Sequence, residues 1–339
     1  MPADTRGSIN YQPSTINLLP PPPQPPLRLL FMGTGEIALP SLHHLFDRDD
    51  CQVVTVVTQP DKPAGRKQEL RASAIKQLAL ECGVAVLQPV KLRAPESVNE
   101  IMGLRPDVIV VMAYGQILPK SVLDAPRLAS LNLHASLLPR WRGAAPIQAA
   151  IEAGDRATGV TVMYMAEGLD TGDILLKRET PITDADTGGT LHDRLATVAA
   201  EALAEALPLV AAGRAPRIPQ EEARATYAPR LSRESGRIDW QATAAQIDRR
   251  IRAMNPWPAA HTLLPTSAGP RQFKTFAATP QNGPTGPPGQ VLRADEQGLL
   301  VAAQEGVVLL REVQLEGKRR MSAGEFLRGH PLAVGTVLG

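Results

Sequence analysis

The chain has 339 residues, 43% of them hydrophobic, with 36 Lys/Arg against 34 Asp/Glu. That length supports two domains with cores of their own, and no apolar run approaches the roughly 20 residues that span a bilayer, so no membrane partner is expected. Its two cysteines, Cys51 and Cys82, are too few for a disulfide framework and stand at no metal-ligand spacing, which fits a cytoplasmic protein without a metal site. The small net charge of +2 conceals an asymmetry. From Arg217 to the end, 16 Lys/Arg face 11 Asp/Glu, whereas the preceding residues hold 20 against 23. A basic back half points to an anionic partner.

Residues 1–26 are polar and end in Pro20-Pro21-Pro22-Pro23-Gln24-Pro25-Pro26, which reads as a disordered or polyproline leader. It has neither the basic start nor the apolar centre of a signal peptide. Leu27–Met32 is a buried strand by composition, Gly33-Thr34-Gly35 a tight turn, and 37–46 has helical spacing. The valine-rich 52–58 is the next strand, and 59–70 a polar loop holding Pro60-Asp61-Lys62-Pro63-Ala64-Gly65-Arg66-Lys67. A helix over 71–82 stops at Gly83; strand 84–87, helix 95–103 and strand 107–112 follow. Strand, helix, strand in this rhythm predicts an α/β domain with a parallel-rich sheet and helices on both faces.

Ser130 to Gln148 organises the chain: Ser-Leu-Asn-Leu-His-Ala-Ser-Leu-Leu-Pro-Arg-Trp-Arg-Gly-Ala-Ala-Pro-Ile-Gln. A short strand delivers Asn132 and His134 two apart, hence on one face. Pro139 and Gly143 break the backbone, and Pro146 suits the first turn of a helix. Loops at the carboxyl ends of parallel strands are where α/β sheets place their sites. Beyond it, 159–165 and 172–177 read as strands, and Thr187 caps a long helix to about 212. We expect a front domain over 27–212, a linker over 213–225, and a back domain over 226–339. The latter holds a helix over 242–253, then short strands near 260–264, 272–277, 289–294, 298–303 and 306–315, the pattern of a small barrel.

Three apparent motifs carry little weight. Gly33-Thr34-Gly35-Glu36-Ile37-Ala38 fits a dinucleotide fingerprint, but the second strand ends at Thr58-Gln59 without the acid that holds a ribose. Asp170-Thr171-Gly172 and Asp186-Thr187-Gly188 match the aspartic-protease triplet, yet no lobe fits between them. The scattered histidines form no metal set. What remains is Asn132, His134 and Asp170. Imidazole takes or gives a proton near neutral pH, a carboxylate orients it, and an amide N–H stabilises an oxygen that turns negative. Ser136 is the nearest hydroxyl but has no obvious base of its own. The set suits direct attack by an amine on an activated acyl carbon.

At these residues the chain resembles the methionyl-tRNA formyltransferase family, over about 27–330. The resemblance rests on Leu29-Leu30-Phe31-Met32-Gly33-Thr34, the loop at 59–66, Ala113-Tyr114-Gly115-Gln116-Ile117-Leu118-Pro119, the organising stretch, Gly168-Leu169-Asp170-Thr171-Gly172-Asp173, and Ile251-Arg252-Ala253-Met254-Asn255-Pro256-Trp257-Pro258. It implies a Rossmann-like formyltransferase domain followed by a small OB-like β-barrel. It also implies transfer of formyl from 10-formyltetrahydrofolate to methionine charged on initiator tRNA; we expect a monomer. By the same resemblance Asn132 and His134 polarise the formyl oxygen and Asp170 orients His134. Either His134 or a water held by Asp170 removes the amine proton. Ser136, Leu137, Leu138 and Pro139 would meet the folate, and Lys62, Arg66 and Lys67 the tRNA acceptor arm. Gly35 departs from the family, which is expected to have proline there. The rival readings are a folate-dependent formyltransferase or hydrolase with a small acceptor, and a nucleotide-binding protein built on the glycine turn.

Overall fold

A computed structural model describes residues 25–64 and 69–339. Most of the proline-rich leader, and Arg66 and Lys67 of the basic loop, lie outside the described residues. The front domain is built on strands β1 (Leu27–Gly33), β2 (Cys51–Val57), β5 (Val86–Leu87), β6 (Val108–Met112), β7 (Ala129–His134), β9 (Ala157–Tyr164) and β10 (Ile174–Pro181). They lie in the order β10-β9-β7-β6-β1-β2-β5, parallel from β7 to β5, with β9 and β10 antiparallel. Central strands covered on both sides need apolar residues at every position. Leu29, Phe31, Val108, Val110 and Met112 therefore enter one core, and Leu30, Met32, Ile109 and Val111 the other. On the first face lie α1 (Leu39–Phe46), α2 (Ala74–Glu81), α5 (Pro146–Ala153) and α6 (Gly188–Ala211), and on the second α3 (Pro95–Gly103) and the short α4 (Lys120–Leu123).

The structure corrects the expected loop over 59–70. Its flanks pair as a small hairpin, β3 (Lys62–Ala64) with β4 (Glu69–Arg71). This claims residue 71 for a strand, so α2 begins three residues later than the helix expected from 71, where Ser73 Oγ accepts the Lys76 N–H at 3.2 Å. The segment 213–225 is not a free linker either. Ile218 exchanges two backbone hydrogen bonds with Ile174, and β8 (Arg142–Gly143) pairs in parallel with β11 (Tyr227–Ala228) just beyond. A linker reading rests on Gly and Pro content, which is blind to such long-range pairing.

The back domain opens with α7 (Ala244–Ala253), capped by Thr243 and Gln246. Strands β12 (Ala260–Leu264), β13 (Arg271–Gln281), β14 (Val291–Asp295), β15 (Gly298–Ala302), β16 (Val307–Leu315) and β17 (Met321–Ser322) then form one antiparallel sheet, with α8 (Ala323–Gly329) against it. Residues 336–339 bridge its two edge strands: Leu263 and Gly339 exchange backbone bonds, and Val291 donates to Thr336. The long β13 covers the shorter expected 272–277, and α8 carries Phe326 into the core against Phe273, ring centroids 5.0 Å apart. Among the described residues no helix is long and apolar enough to cross a membrane.

Asp186 fixes the start of α6. Burial pushes its carboxyl up, but the Arg194 guanidinium and the Thr183 N–H and hydroxyl outweigh this and hold it at about 2. A carboxyl whose folded value lies below its free value stabilises the fold above the free value and loses that contribution as pH falls toward the folded one. From 3.8 to about 2, the contribution at neutral pH is about 2 kcal/mol. Asp186→Ala is therefore expected to lose about 2 kcal/mol at pH 7, with a smaller difference from the parent below about pH 4. Guanidinium unfolding at pH 7 and pH 3.5 measures both; a difference that does not shrink in acid would refute the assignment.

Candidate active site

β7 runs between β6 and β9, and its last residues leave the sheet at the carboxyl end of the parallel strands. Asn132 and His134 project there from one face. Asp170 arrives 38 residues downstream of Asn132, in the turn between β9 and β10. Its backbone has φ +53°, a left-handed conformation that costs a residue with a Cβ and persists only where the surroundings impose it. The sequence-expected trio is thus brought together: Asn132 Nδ2 lies 3.5 Å from Asp170 Oδ1, and His134 Nδ1 lies 3.7 Å from Asp170 Oδ2. His134 and Asp170 are 7% and 12% exposed, enough to meet a small reacting group while most water is excluded.

The other imidazole nitrogen is committed. His134 Nε2 lies 2.8 Å from the Trp141 carbonyl oxygen, which can only accept, so Nε2 carries the hydrogen. In the neutral ring Nδ1 is then the bare nitrogen, and it is the one beside Asp170. Asp170 Oδ2 is anchored by the Gly143 N–H at 2.8 Å. One loop, 141–143, therefore sets both the histidine tautomer and the carboxylate position.

The 136–139 loop is held from within. Ser136 is fully buried and donates its hydroxyl to the Arg140 carbonyl at 2.6 Å, so that side chain ties the turn instead of facing a ligand. Leu138 is buried against Met163 and Ile174, and its carbonyl accepts from Lys177. Leu137 and Pro139 are half-buried and line a cavity of about 680 Å³ together with Arg140, Lys177 and the 218–221 stretch. Of the residues expected to meet tRNA, Lys62 is exposed on the β3 hairpin. That hairpin is tethered at Asp61, whose carboxylate is held below its usual range by hydrogen bonds from Lys76 and Gln88, at 2.7 Å each. Asp61 is thus occupied, and the Gly35 N–H of the false fingerprint donates to the Ala113 carbonyl, leaving neither for a dinucleotide. Sequence reasoning missed the Trp141 carbonyl, the Gly143 amide, Arg142 and Gln220. Arg142 and Gly143 stood inside the organising stretch, whereas nothing local marks Gln220.

Residues 27–207 match the family model for the formyl transferases, and 230–331 the model for the formyl transferase C-terminal domain. The chain is 48% identical over 313 residues to the methionyl-tRNA formyltransferase of Geotalea uraniireducens, covering 92% of this chain and 98% of that one. Against the methionyl-tRNA formyltransferase of Pseudomonas fluorescens strain SBW25 it is 50% identical over 316 residues, 93% of this chain and 98% of that one. Among solved structures it is similar to WlaRD, a sugar 3N-formyl transferase (TM-score 0.63, 19% identity, 86% of this chain and 99% of that one). It also resembles HypX from Aquifex aeolicus in complex with tetrahydrofolic acid (TM-score 0.58, 20% identity, 92% and 50%). At such identities these likenesses speak for the fold, and the sequence relatives for the family. Both halves match in order over nearly the full length of relatives about half identical to it, and the chain belongs to the methionyl-tRNA formyltransferase family.

Proposed function

We propose that this protein transfers the formyl group of 10-formyltetrahydrofolate to the α-amino group of methionine charged on initiator tRNA, by direct attack of the amine. The convergence of Asn132, His134 and Asp170 at one strand end carries the reading. Ser136 supports it by elimination: its hydroxyl is spent on Arg140 O, so it is a poor candidate for a covalent formyl-enzyme. The amine nitrogen bonds to the formyl carbon and the carbonyl oxygen becomes negative. Asn132 donates to that oxygen. His134 Nδ1 takes one proton from the attacking amine and becomes a donor to the same oxygen, with Asp170 stabilising the imidazolium. The bond from the formyl carbon to N10 then breaks, N10 receives the proton, and tetrahydrofolate leaves. A free α-amino group has a pKa near 8, so much of it is already nucleophilic at neutral pH.

In this reading Ser136, Leu137, Leu138 and Pro139 meet the folate, with Ser136 acting through the backbone it shapes and Leu137 and Pro139 through their side chains. Lys62, Arg66 and Lys67 contact the acceptor arm. Residues 27–212 carry the chemistry, 213–225 connect, and the basic 226–339 guides the tRNA body. The trio comes from one chain, which suits a monomer, and charged initiator tRNA as substrate suits the cytoplasm.

The test is formyl transfer from 10-formyltetrahydrofolate to methionine-charged initiator tRNA, with uncharged tRNA and free methionine as controls. Transfer to the charged tRNA alone is expected. Its KM should rise steeply between about 50 and 200 mM salt, because released phosphate counterions drive binding. Transfer to a small amine with none to charged tRNA would overturn the acceptor.

A further inference from the structure

The connector between the domains contributes a side chain to the back of the site. Gln220 Nε2 lies 2.8 Å from the Asp170 carbonyl oxygen and 2.8 Å from that of Gly172. Among the described residues neither carbonyl has another hydrogen-bond donor. The amide cannot turn over, because its Oε1 accepts from Arg142 Nε at 3.2 Å and Nη2 at 3.0 Å. Arg142 is 1% exposed, and its third donor, Nη1, reaches Glu222 at 2.9 Å. A planar guanidinium offers its hydrogens in a fixed fork, so it holds an acceptor in one direction. The connector is pinned on either side of Gln220. Ile218 pairs with Ile174 before it, and after it Thr226 O accepts the Arg142 N–H at 2.8 Å while Thr226 Oγ1 accepts the Trp141 N–H at 2.9 Å.

We propose that Gln220 is a positioning residue for the transfer reaction: held by Arg142, its carboxamide clamps the turn from Asp170 to Gly172 and so aims the Asp170 carboxylate at Asn132 and His134. The inference rests on the reading of Asp170 given above. Its physical content is specific. Asp170 sits at φ +53°, an unfavourable state for a side chain, and its carboxylate contacts are 3.5 Å from Asn132 and 3.7 Å from His134, so a small backbone rotation would break both. Two donors from one amide oppose that rotation. The same amide ties Asp170 to a segment that continues into the back domain, so the geometry of the trio depends on the connector being in place.

The test uses the full-length enzyme and four variants: Gln220→Ala, Gln220→Glu and Asp170→Ala, each alone, and Gln220→Ala combined with Asp170→Ala. Gln220→Glu keeps an acceptor for Arg142 but turns a carboxylate oxygen toward two carbonyls, and so separates the clamp from the packing. Both Gln220 variants should lose about tenfold to a hundredfold in kcat with KM for tRNA and folate changed by less than about threefold. In the Asp170→Ala background, Gln220→Ala should cost less than about twofold, because a residue acting through Asp170 has nothing left to position. Unfolding midpoints are recorded alongside, and Gln220→Glu carries the test if Gln220→Ala does not fold. Wild-type kcat in the Gln220 variants with Asp170→Ala impaired overturns the proposal alone. An equal fold-loss in both backgrounds also overturns it, since that marks a general structural role. Full turnover in Asp170→Ala overturns the reading of Asp170 and the proposal with it.

Discussion

Replacing His134 by alanine is expected to lower kcat for formyl transfer by about 10³- to 10⁴-fold, and replacing Asp170 by alanine to lower it comparably. The expectation follows from the two ring nitrogens having separate duties. Nε2–H is spent on the Trp141 carbonyl at 2.8 Å, which fixes the ring and leaves Nδ1 to carry the proton in the proposed transfer. Nδ1 has one charged neighbour among the described residues, Asp170 Oδ2 at 3.7 Å. In the proposed mechanism, removing the imidazole removes the base and one oxyanion donor together. Removing the carboxylate takes away the one negative charge 3.7 Å from Nδ1, beside which the imidazolium of the proposed transfer would form. Asp170→Asn separates shape from charge: it should retain the fold yet recover little turnover, because an amide stabilises no imidazolium. The double variant His134→Ala/Asp170→Ala should be scarcely slower than either single one, since groups that act as a unit lose their effect only once. Single-turnover formylation at saturating enzyme, with circular dichroism to verify the fold, measures all four. Independent, multiplying losses would mean that the two groups do not cooperate as proposed.

The legible part of this molecule was local. Apolar runs of five or six residues mark β1 and β6, which are buried on both faces, and the expected strand at 260–264 coincides with β12. The N-caps Thr187 and Thr243 lie where polar residues precede helical periodicity, though only the first is legible as a cap in the sequence. The two-residue spacing of Asn132 and His134 carried their shared direction, because side-chain alternation in a strand is a property of the backbone. The illegible part depends on residues far apart in sequence. The hairpin pairs the three-residue strands Lys62–Ala64 and Glu69–Arg71, which show no apolar alternation. Pairing of β8 with β11 spans more than eighty residues, and the Gln220 clamp reaches back fifty to Asp170. Ser136 shows the reverse: the direction of its side chain, inward onto the Arg140 carbonyl, is set by burial and tertiary contact rather than by anything in the motif.

Gly143→Ala is expected to destabilise the fold by about 2–4 kcal/mol and to lower kcat by about a hundredfold, although the substitution adds one methyl group. Three constraints meet at this residue. Its φ is +112°, a conformation that glycine adopts freely and alanine does not. A Cβ built there would stand 2.6 Å from the Ala228 carbonyl oxygen, and that carbonyl cannot withdraw, because it accepts the Ala144 N–H at 2.9 Å and that of Ala145 at 3.3 Å. The Gly143 N–H is the donor that holds Asp170 Oδ2 at 2.8 Å. Relief of the clash must separate β8 from β11 or swing the 143 peptide, and the second movement takes the N–H away from the carboxylate. Gly83→Ala is the matched control. It has φ +70° with nothing within 4 Å of the added carbon, and it lies at the end of α2, so it imposes the backbone penalty without the clash. That control should lose about 1 kcal/mol and keep its turnover. Urea unfolding and steady-state kinetics on the two variants decide the matter. If Gly143→Ala turned over like the parent, or if both glycines gave the same small loss, the close packing of β11 on the 141–145 loop would not be what holds the carboxylate in place.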